Sequence, residues 1–307
     1  MGSLRVTQRI LNDRVLRNIS AQSRSLLQLQ EQLSTGLRVN RPSDDPLAVR
    51  RGIRARSDVA INEQYTTNIS TTGPHLLETE SSILEANENL RRAYELALQG
   101  MNDTNSQTQR EAISVEINQI LENVLSLSNH FSNGRYIFGG TRTVAKPFEA
   151  TRATDGEISS VAYLGNDQHY QIEISEGIRV DINETGTDVF ANAPSGGVDV
   201  FELLVAVREN LRSGDVNALG DNLTAFKAAQ EQMMIATSRI GSVESRLDRV
   251  DLNLEDSNTQ LQETMSDNLD ADFAEVMVEL NAQSNAFQAS LNAASRVIQP
   301  SLLDFVR

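Results

Sequence analysis

The chain has 307 residues, enough for about two domains and a real core, yet aromatic residues make up only 5 % of it, with no Trp and just six Pro. Such a composition favours long helices with thin apolar seams over a thick globular core. The net charge of −15 argues against nucleic acid, which needs a clustered basic surface. No run of about eighteen apolar residues offers a membrane span, and the absence of Cys removes disulfides, thiolate metal sites and a Cys nucleophile.

The distribution of charge says more than its sum. Residues 1–58 carry eleven Arg against five acids, whereas residues 244–307 carry twelve acids against four Arg. Oppositely charged ends suit two terminal helices lying side by side.

In chain order, Val6, Ile10, Leu16, Ile19, Leu26, Leu29, Leu33 and Leu37 fall mostly on one helical face. Arg5, Arg9, Arg14 and Arg17 interrupt this stretch at helical spacing, so no secretory signal peptide is expected. Thr35-Gly36 ends the pattern, with Gly36 as the residue just past the helix. The following run, Arg38 to Pro46, predicts a structural turn built on Pro42, Asp44, Asp45 and Pro46. Asp45 caps the next helix, and Pro46 occupies its first position.

That second helix carries Ile69, Leu76, Ile83, Leu90 and Ala97 at a strict spacing of seven. Gly73-Pro74 should kink or briefly break it without losing the phase of the seam. A third stripe runs from Ile113 through Ile117, Ile120, Val124 and Leu127 to Phe131, ending at Asn133-Gly134. Helix, turn and helix at this spacing read as an antiparallel bundle.

The character changes at Arg135. Alternating runs at 158–164, 170–174 and 178–182, separated by Gly-containing turns, predict a small β-rich insert of five or six short strands projecting from the bundle. Helical signal returns at 200–211. A longer stripe follows, from Val216 through Leu219, Phe226, Met233, Ile240, Val243, Leu247 and Leu254 to Leu261. Its three–four alternation is expected to slip beside Gly241 as a stammer.

The last stripe places Leu269, Phe273, Val276, Leu280, Phe287, Leu291, Ala294 and Ile298 on one face of a helix about 40 Å long. Asp272 and Glu275 read as a capping box at its start, and Pro300 stops it. This stripe cannot bury itself alone, so pairing with the N-terminal stripe is the central expectation. The candidate assembly interface is therefore Leu26, Leu29, Leu33 and Leu37 with Leu269, Phe273, Val276, Leu280, Phe287, Leu291 and Ile298.

The expected fold is mainly α: a long antiparallel helical bundle or coiled-coil rod formed by the N- and C-terminal halves, with a small β-rich domain inserted in the middle. Its parts are residues 1–45, 46–134, 135–199, 200–265 and 266–307. No catalytic, cofactor-binding or metal-ligating set can be named. His75, His130 and His169 have no ligand spacing. The acids Asp267, Asp270, Asp272 and Glu275 read as helix capping, because the spacing of a calcium loop is missing. Gly139-Gly140 is a turn, not a phosphate cradle, and no Ser sits in a nucleophile elbow. An enzyme is not expected.

With these stretches in hand, the chain resembles the flagellin superfamily in its hook-associated form. Leu33-Ser34-Thr35-Gly36-Leu37-Arg38-Val39-Asn40-Arg41-Pro42-Ser43-Asp44-Asp45-Pro46 is similar to that family's N-terminal signature. Tyr136-Ile137-Phe138-Gly139-Gly140-Thr141 leading to Lys146-Pro147-Phe148 resembles the entry to its β domain. Asp270-Ala271-Asp272-Phe273-Ala274-Glu275 and Ser301-Leu302-Leu303-Asp304-Phe305 resemble its C-terminal helix. Gly73-Pro74 departs from the pattern.

The resemblance implies a structural subunit of the bacterial flagellum at the hook–filament junction. It implies export through the flagellar type III channel without a cleaved signal, and an extracellular location. Implied partners are other copies in a ring, a hook-side junction protein, flagellin and a cytosolic export chaperone. The alternatives are a filament flagellin and a non-flagellar coiled-coil signalling or interaction protein.

Overall fold

A computed structural model describes residues 2–102, 105–191 and 196–298. Among these residues, seven helices and six short strands follow one another as α1 (Gly2–Thr35), α2 (Pro46–Gly100), α3 (Gln107–Ser128), β1 (Phe131–Ser132), β2 (Arg135–Tyr136), β3 (Phe148–Arg152), β4 (Ile158–Tyr163), β5 (Gln171–Ser175), β6 (Ile178–Asp181), α4 (Gly186–Val189), α5 (Val200–Ser213), α6 (Val216–Leu269) and α7 (Phe273–Ile298). They form two compact units. The terminal unit takes residues up to Ile61 and from Asp256 onward; the central unit is Asn62–Glu255. The architecture is mainly α with short antiparallel strands in the middle of the chain.

The central unit is built on two heptad seams. From α2 come Ile69, Leu76, Ile83, Leu90 and Ala97, all buried, as the spacing of seven requires. From α6 come Leu219, Phe226, Met233, Ile240, Leu247 and Leu254, again every seventh residue and again buried. The slip expected beside Gly241 does not occur: the seam stays in phase through it, and a Cβ at Gly241 would meet nothing within 4 Å. Nor does Gly73-Pro74 break α2, which is helical from Pro46 to Gly100 with Pro74 inside. Pro74 costs Ser70 its usual amide partner, but burial of Ile69 and Leu76 on either side holds the helical phase.

The third stripe ends earlier than its periodicity suggests. The helix stops at Ser128, and Phe131 belongs to a hairpin whose two-residue turn is Asn133-Gly134 at φ 49° and 81°. Two successive positive φ values define the type I′ turn that matches strand twist. Phe131 packs on Tyr136 across this hairpin, with ring centroids 4.9 Å apart.

The six strands form three separate two-stranded antiparallel hairpins, β1–β2, β3–β4 and β5–β6. They do not project as an independent body. Phe138, Phe148, Ile158, Ile174 and Val180 join the same buried cluster as the helices. Phe148 stacks against Phe190 at 5.8 Å and Phe201 of α5 at 5.2 Å. The strands are too short to bury a face alone, so they borrow the helical core. Helix α5 is closed at both ends, by Asp199 accepting from the Glu202 amide at 2.9 Å and by Gly214 at φ 74°.

Candidate assembly interface

The terminal unit brings together residues more than 200 positions apart. Its N-terminal turn forms as the local sequence dictates. Gly36 sits at φ 73° and its amide donates to the Gln32 carbonyl at 2.8 Å, closing α1 with the left-handed residue that glycine adopts freely. Asp44 receives the Arg41 amide at 2.9 Å, while its own amide donates to the Arg41 carbonyl. Asp45 accepts from the amides of Leu47 at 3.1 Å and Ala48 at 3.0 Å, so it caps α2 with Pro46 as first helical residue. The Ala48 amide, the Leu47 amide and nearby Arg38 together hold the Asp45 carboxyl below its ordinary range despite partial desolvation. Pro42 lies exposed within the bend.

The far end of the chain docks on this turn. The amide of Arg38 donates to the Leu269 carbonyl at 2.7 Å, and that of Ala271 donates to the Gly36 carbonyl at 2.9 Å, flanking an antiparallel bridge between Leu37 and Asp270. The Arg38 guanidinium adds a bond to the Asn268 carbonyl at 2.6 Å. Each such bond contributes about 1 kcal/mol net, and together they fix where α6 ends and α7 begins. Asp272 then caps α7 by accepting from the amides of Ala274 at 2.8 Å and Glu275 at 3.2 Å.

Helices α1 and α7 pack on each other. Of the predicted interface residues, Leu29 and Val276 are buried, and Leu26, Leu33, Leu37, Leu269, Leu280 and Phe287 are half-buried. Ala294, predicted on the same stripe, is buried as well. Phe273 and Leu291 remain exposed, at 63 % and 43 %. Ile298 ends α7, but its side chain lies outside the described residues, as do Pro300 and the Ser301–Phe305 stretch.

Sequence reading missed one part of this unit. Val39, Ala48 and Ala55 are buried, and Gly52 lies so close to Leu269 that a Cβ there would meet its Cδ1 at 2.5 Å. Ala48, Gly52 and Ala55 follow one another at four and three residues, a run of small side chains on one helical face. That run was the available signal for a close approach. The charge asymmetry of the ends is not expressed as ion pairs between α1 and α7 among the described residues. The pairs in this unit are Arg38–Asp45 at 3.6 Å and Arg41–Glu31 at 3.5 Å.

Large apolar side chains also face outward here: Leu16 and Leu27 on α1, Ile53 on α2, and Phe273 and Val278 on α7, each more than half exposed. The central unit has such residues as well, so exposure alone does not set the terminal unit apart; Phe273 and Leu291 differ in lying on the stripe that pairs the chain ends.

Paired chain ends that leave apolar surface uncovered, joined to a central helical unit with short strands, have the features of a structural subunit. The chain belongs to the flagellin family: the descriptions "Bacterial flagellin N-terminal helical region" and "Bacterial flagellin C-terminal helical region" match residues 6–143 and 223–306. Flagellar hook-associated protein 3 of Escherichia coli K12 is 24 % identical over 94 % of this chain and 96 % of its own length. The crystal structure of Bacillus cereus FlgL superposes with a TM-score of 0.57 at 25 % identity, covering 69 % of this chain and 99 % of that one. Flagellin of Bacillus subtilis is 26 % identical over 95 % of this chain and 97 % of its own length. The chain's relatives are thus both flagellar hook-associated proteins and flagellins, structural components of the flagellum.

Proposed function

We propose that this protein is the subunit that joins the hook-side junction protein to the flagellin filament, and that α1 and α7 are the surface through which it assembles. The observation that carries the reading is the apolar surface left on the terminal pair, chiefly Leu16, Phe273 and Val278, the last 72 % exposed. A surface of this kind is stabilised when neighbours cover it, at roughly 25 cal/mol per Å² of apolar area. Copies in a ring, with flagellin on one side and the hook-side junction protein on the other, supply those neighbours. Residues 1–45 and 266–307 then supply the contacts to neighbouring subunits, and residues 46–134 and 200–265 carry the helical rod. Residues 135–199 form its β-rich portion. Export through the flagellar type III channel, with a cytosolic chaperone holding the ends beforehand, suits a chain whose terminal apolar faces are completed only on assembly. The site of action is extracellular.

The test is incorporation of Phe273→Asp and Leu29→Asp chains into junctions on isolated hooks. Both should fail to incorporate while the central unit keeps its thermal transition; normal junctions from either variant would refute the reading. A second reading, a filament subunit, is favoured by the nearly full-length match to a flagellin. Filament growth from the purified chain alone would select it.

A further inference from the structure

Within the central unit, a cleft of about 550 Å³ opens between α2 and the β hairpins. That volume is in the range of small-molecule sites. One wall is the α2 face bearing Asn68, Thr71 and His75; facing it is the β1–β2 hairpin with Ser132, Arg135 and Tyr136. Ile137, Ile172 and Ile182 supply apolar lining.

The arginines of the central unit differ in how they are engaged: Arg110 and Arg142 bond backbone carbonyls. Arg92, Arg152, Arg208, Arg212 and Arg239 are all committed to carboxylates. The Arg135 guanidinium, by contrast, is paired with no described residue, and neither the His75 ring nor the Tyr136 hydroxyl hydrogen-bonds to one. Burial, aided by Arg135 and opposed by Glu78, holds His75 below its ordinary pKa. Its ring is therefore neutral at pH 7, with one nitrogen donating and one accepting. An exposed cation, a neutral donor–acceptor ring, a phenol and an apolar lining border one space.

We propose that this cleft binds a carboxylate-bearing monosaccharide. Arg135 receives the carboxylate, His75 and Tyr136 exchange hydrogen bonds with ring hydroxyls, and the isoleucines take the C–H face of the pyranose. A simple inorganic anion would use Arg135 but neither the apolar lining nor the phenol. A neutral sugar would gain nothing from the charge of the guanidinium. No residue of the terminal unit takes part, so the outcome is independent of the assembly reading.

Saturation-transfer NMR on the full chain with D-glucuronate, D-glucose and acetate tests this. Glucuronate should receive saturation at its ring protons, with glucose at least tenfold weaker and acetate giving no signal. Arg135→Gln and Tyr136→Phe should each weaken glucuronate binding at least fivefold with unchanged thermal melting. The inference is overturned if glucuronate shows no saturation, if glucose or acetate binds equally well, or if both variants bind like the parent. Should Tyr136→Phe melt early, the Arg135→Gln result decides alone, because that side chain is exposed and its loss leaves the fold intact.

Discussion

The central and terminal units are written in the same apolar periodicity, yet they treat it differently. The central unit covers its own seams, although off those seams it too turns large apolar side chains outward, Leu77, Val115, Met234 and Leu252 among them. Ile83, Leu90, Phe138, Phe190, Phe201 and Phe226 are all wholly buried within it. The terminal unit buries Leu29, Val39, Val276 and a few Ala, and leaves Phe273, Val278, Leu16 and Ile53 facing out. A heptad stripe therefore reports that a helix needs a partner, not whether the partner is in the same chain. In a marginally stable protein that difference decides which region holds its structure alone and which is completed by neighbours.

One pair of truncations is the strongest way to break the comparison. Phe226→Ala removes a buried ring that packs edge-on against Tyr94 at 6.1 Å, and should destabilise the central unit by about 3–5 kcal/mol in urea melts. Phe273→Ala should leave the monomer's stability within about 0.5 kcal/mol yet lower incorporation into junctions. Equal stability losses from the two would mean that the terminal unit is as self-contained as the central one.

A smaller effect is expected at Gly52→Leu. The added side chain overlaps Leu269, so one of them must be displaced, at about 1–3 kcal/mol for overpacking. Hydrogen exchange should speed up at the Arg38 and Ala271 amides, which bond across the chain ends, and stay unchanged at the α2 amides around Leu90. Asp272→Ala should follow at about 1 kcal/mol, confined to the first turn of α7, with faster exchange at Ala274 and Glu275.

How much of this was legible beforehand follows from what each signal encodes. Asp45, Pro46, Gly36 and Asp272 were readable because capping depends on the residue and its immediate neighbours. The seam from Ile69 to Ala97 was readable because spacing sets the face. The Gly52–Leu269 approach lies 217 positions apart, and small residues name no partner. The exposure of Phe273 was illegible for a related reason: it lies on the predicted stripe, but burial depends on what stands opposite. Strands β4, β5 and β6 were placed nearly correctly by alternation, but β1–β3 were too short or irregular to be located, and the sharing of the helical core depended on the four-ring cluster of Phe138, Phe148, Phe190 and Phe201.

The smallest predicted effect concerns acid, and it sharpens the contrast because two carboxylates of the central unit act with opposite sign. Glu157 is held below its ordinary value chiefly by its hydrogen bond from Arg212, at 2.6 Å, with Arg208 nearby at 3.4 Å. Its folded state binds protons less readily than its unfolded state. Its contribution is thus present at neutral pH and lost as pH falls below about 4.5 through the folded value. Glu184 is pushed up, because burial outweighs the hydrogen bond and charge of Arg239 at 2.6 Å. There the folded state takes up the proton first, so stability rises as pH falls through the folded value toward the ordinary one. Glu157→Gln should lower the urea midpoint at pH 7 and flatten its decline below pH 5. Glu184→Gln should change the midpoint at pH 7 by less than about 1 kcal/mol equivalent, since the amide keeps an acceptor for Arg239 and removes a charge that is costly to bury. It should also remove the acid-side gain. In the terminal unit, Asp45 has only the first sign, its cap weakening as pH falls. The protection of the Leu47 and Ala48 amides, corrected for the intrinsic slowing of exchange in acid, should therefore fall once pH drops below the ordinary Asp value, before the central unit melts. The reverse order would place the acid-sensitive contacts in the central core.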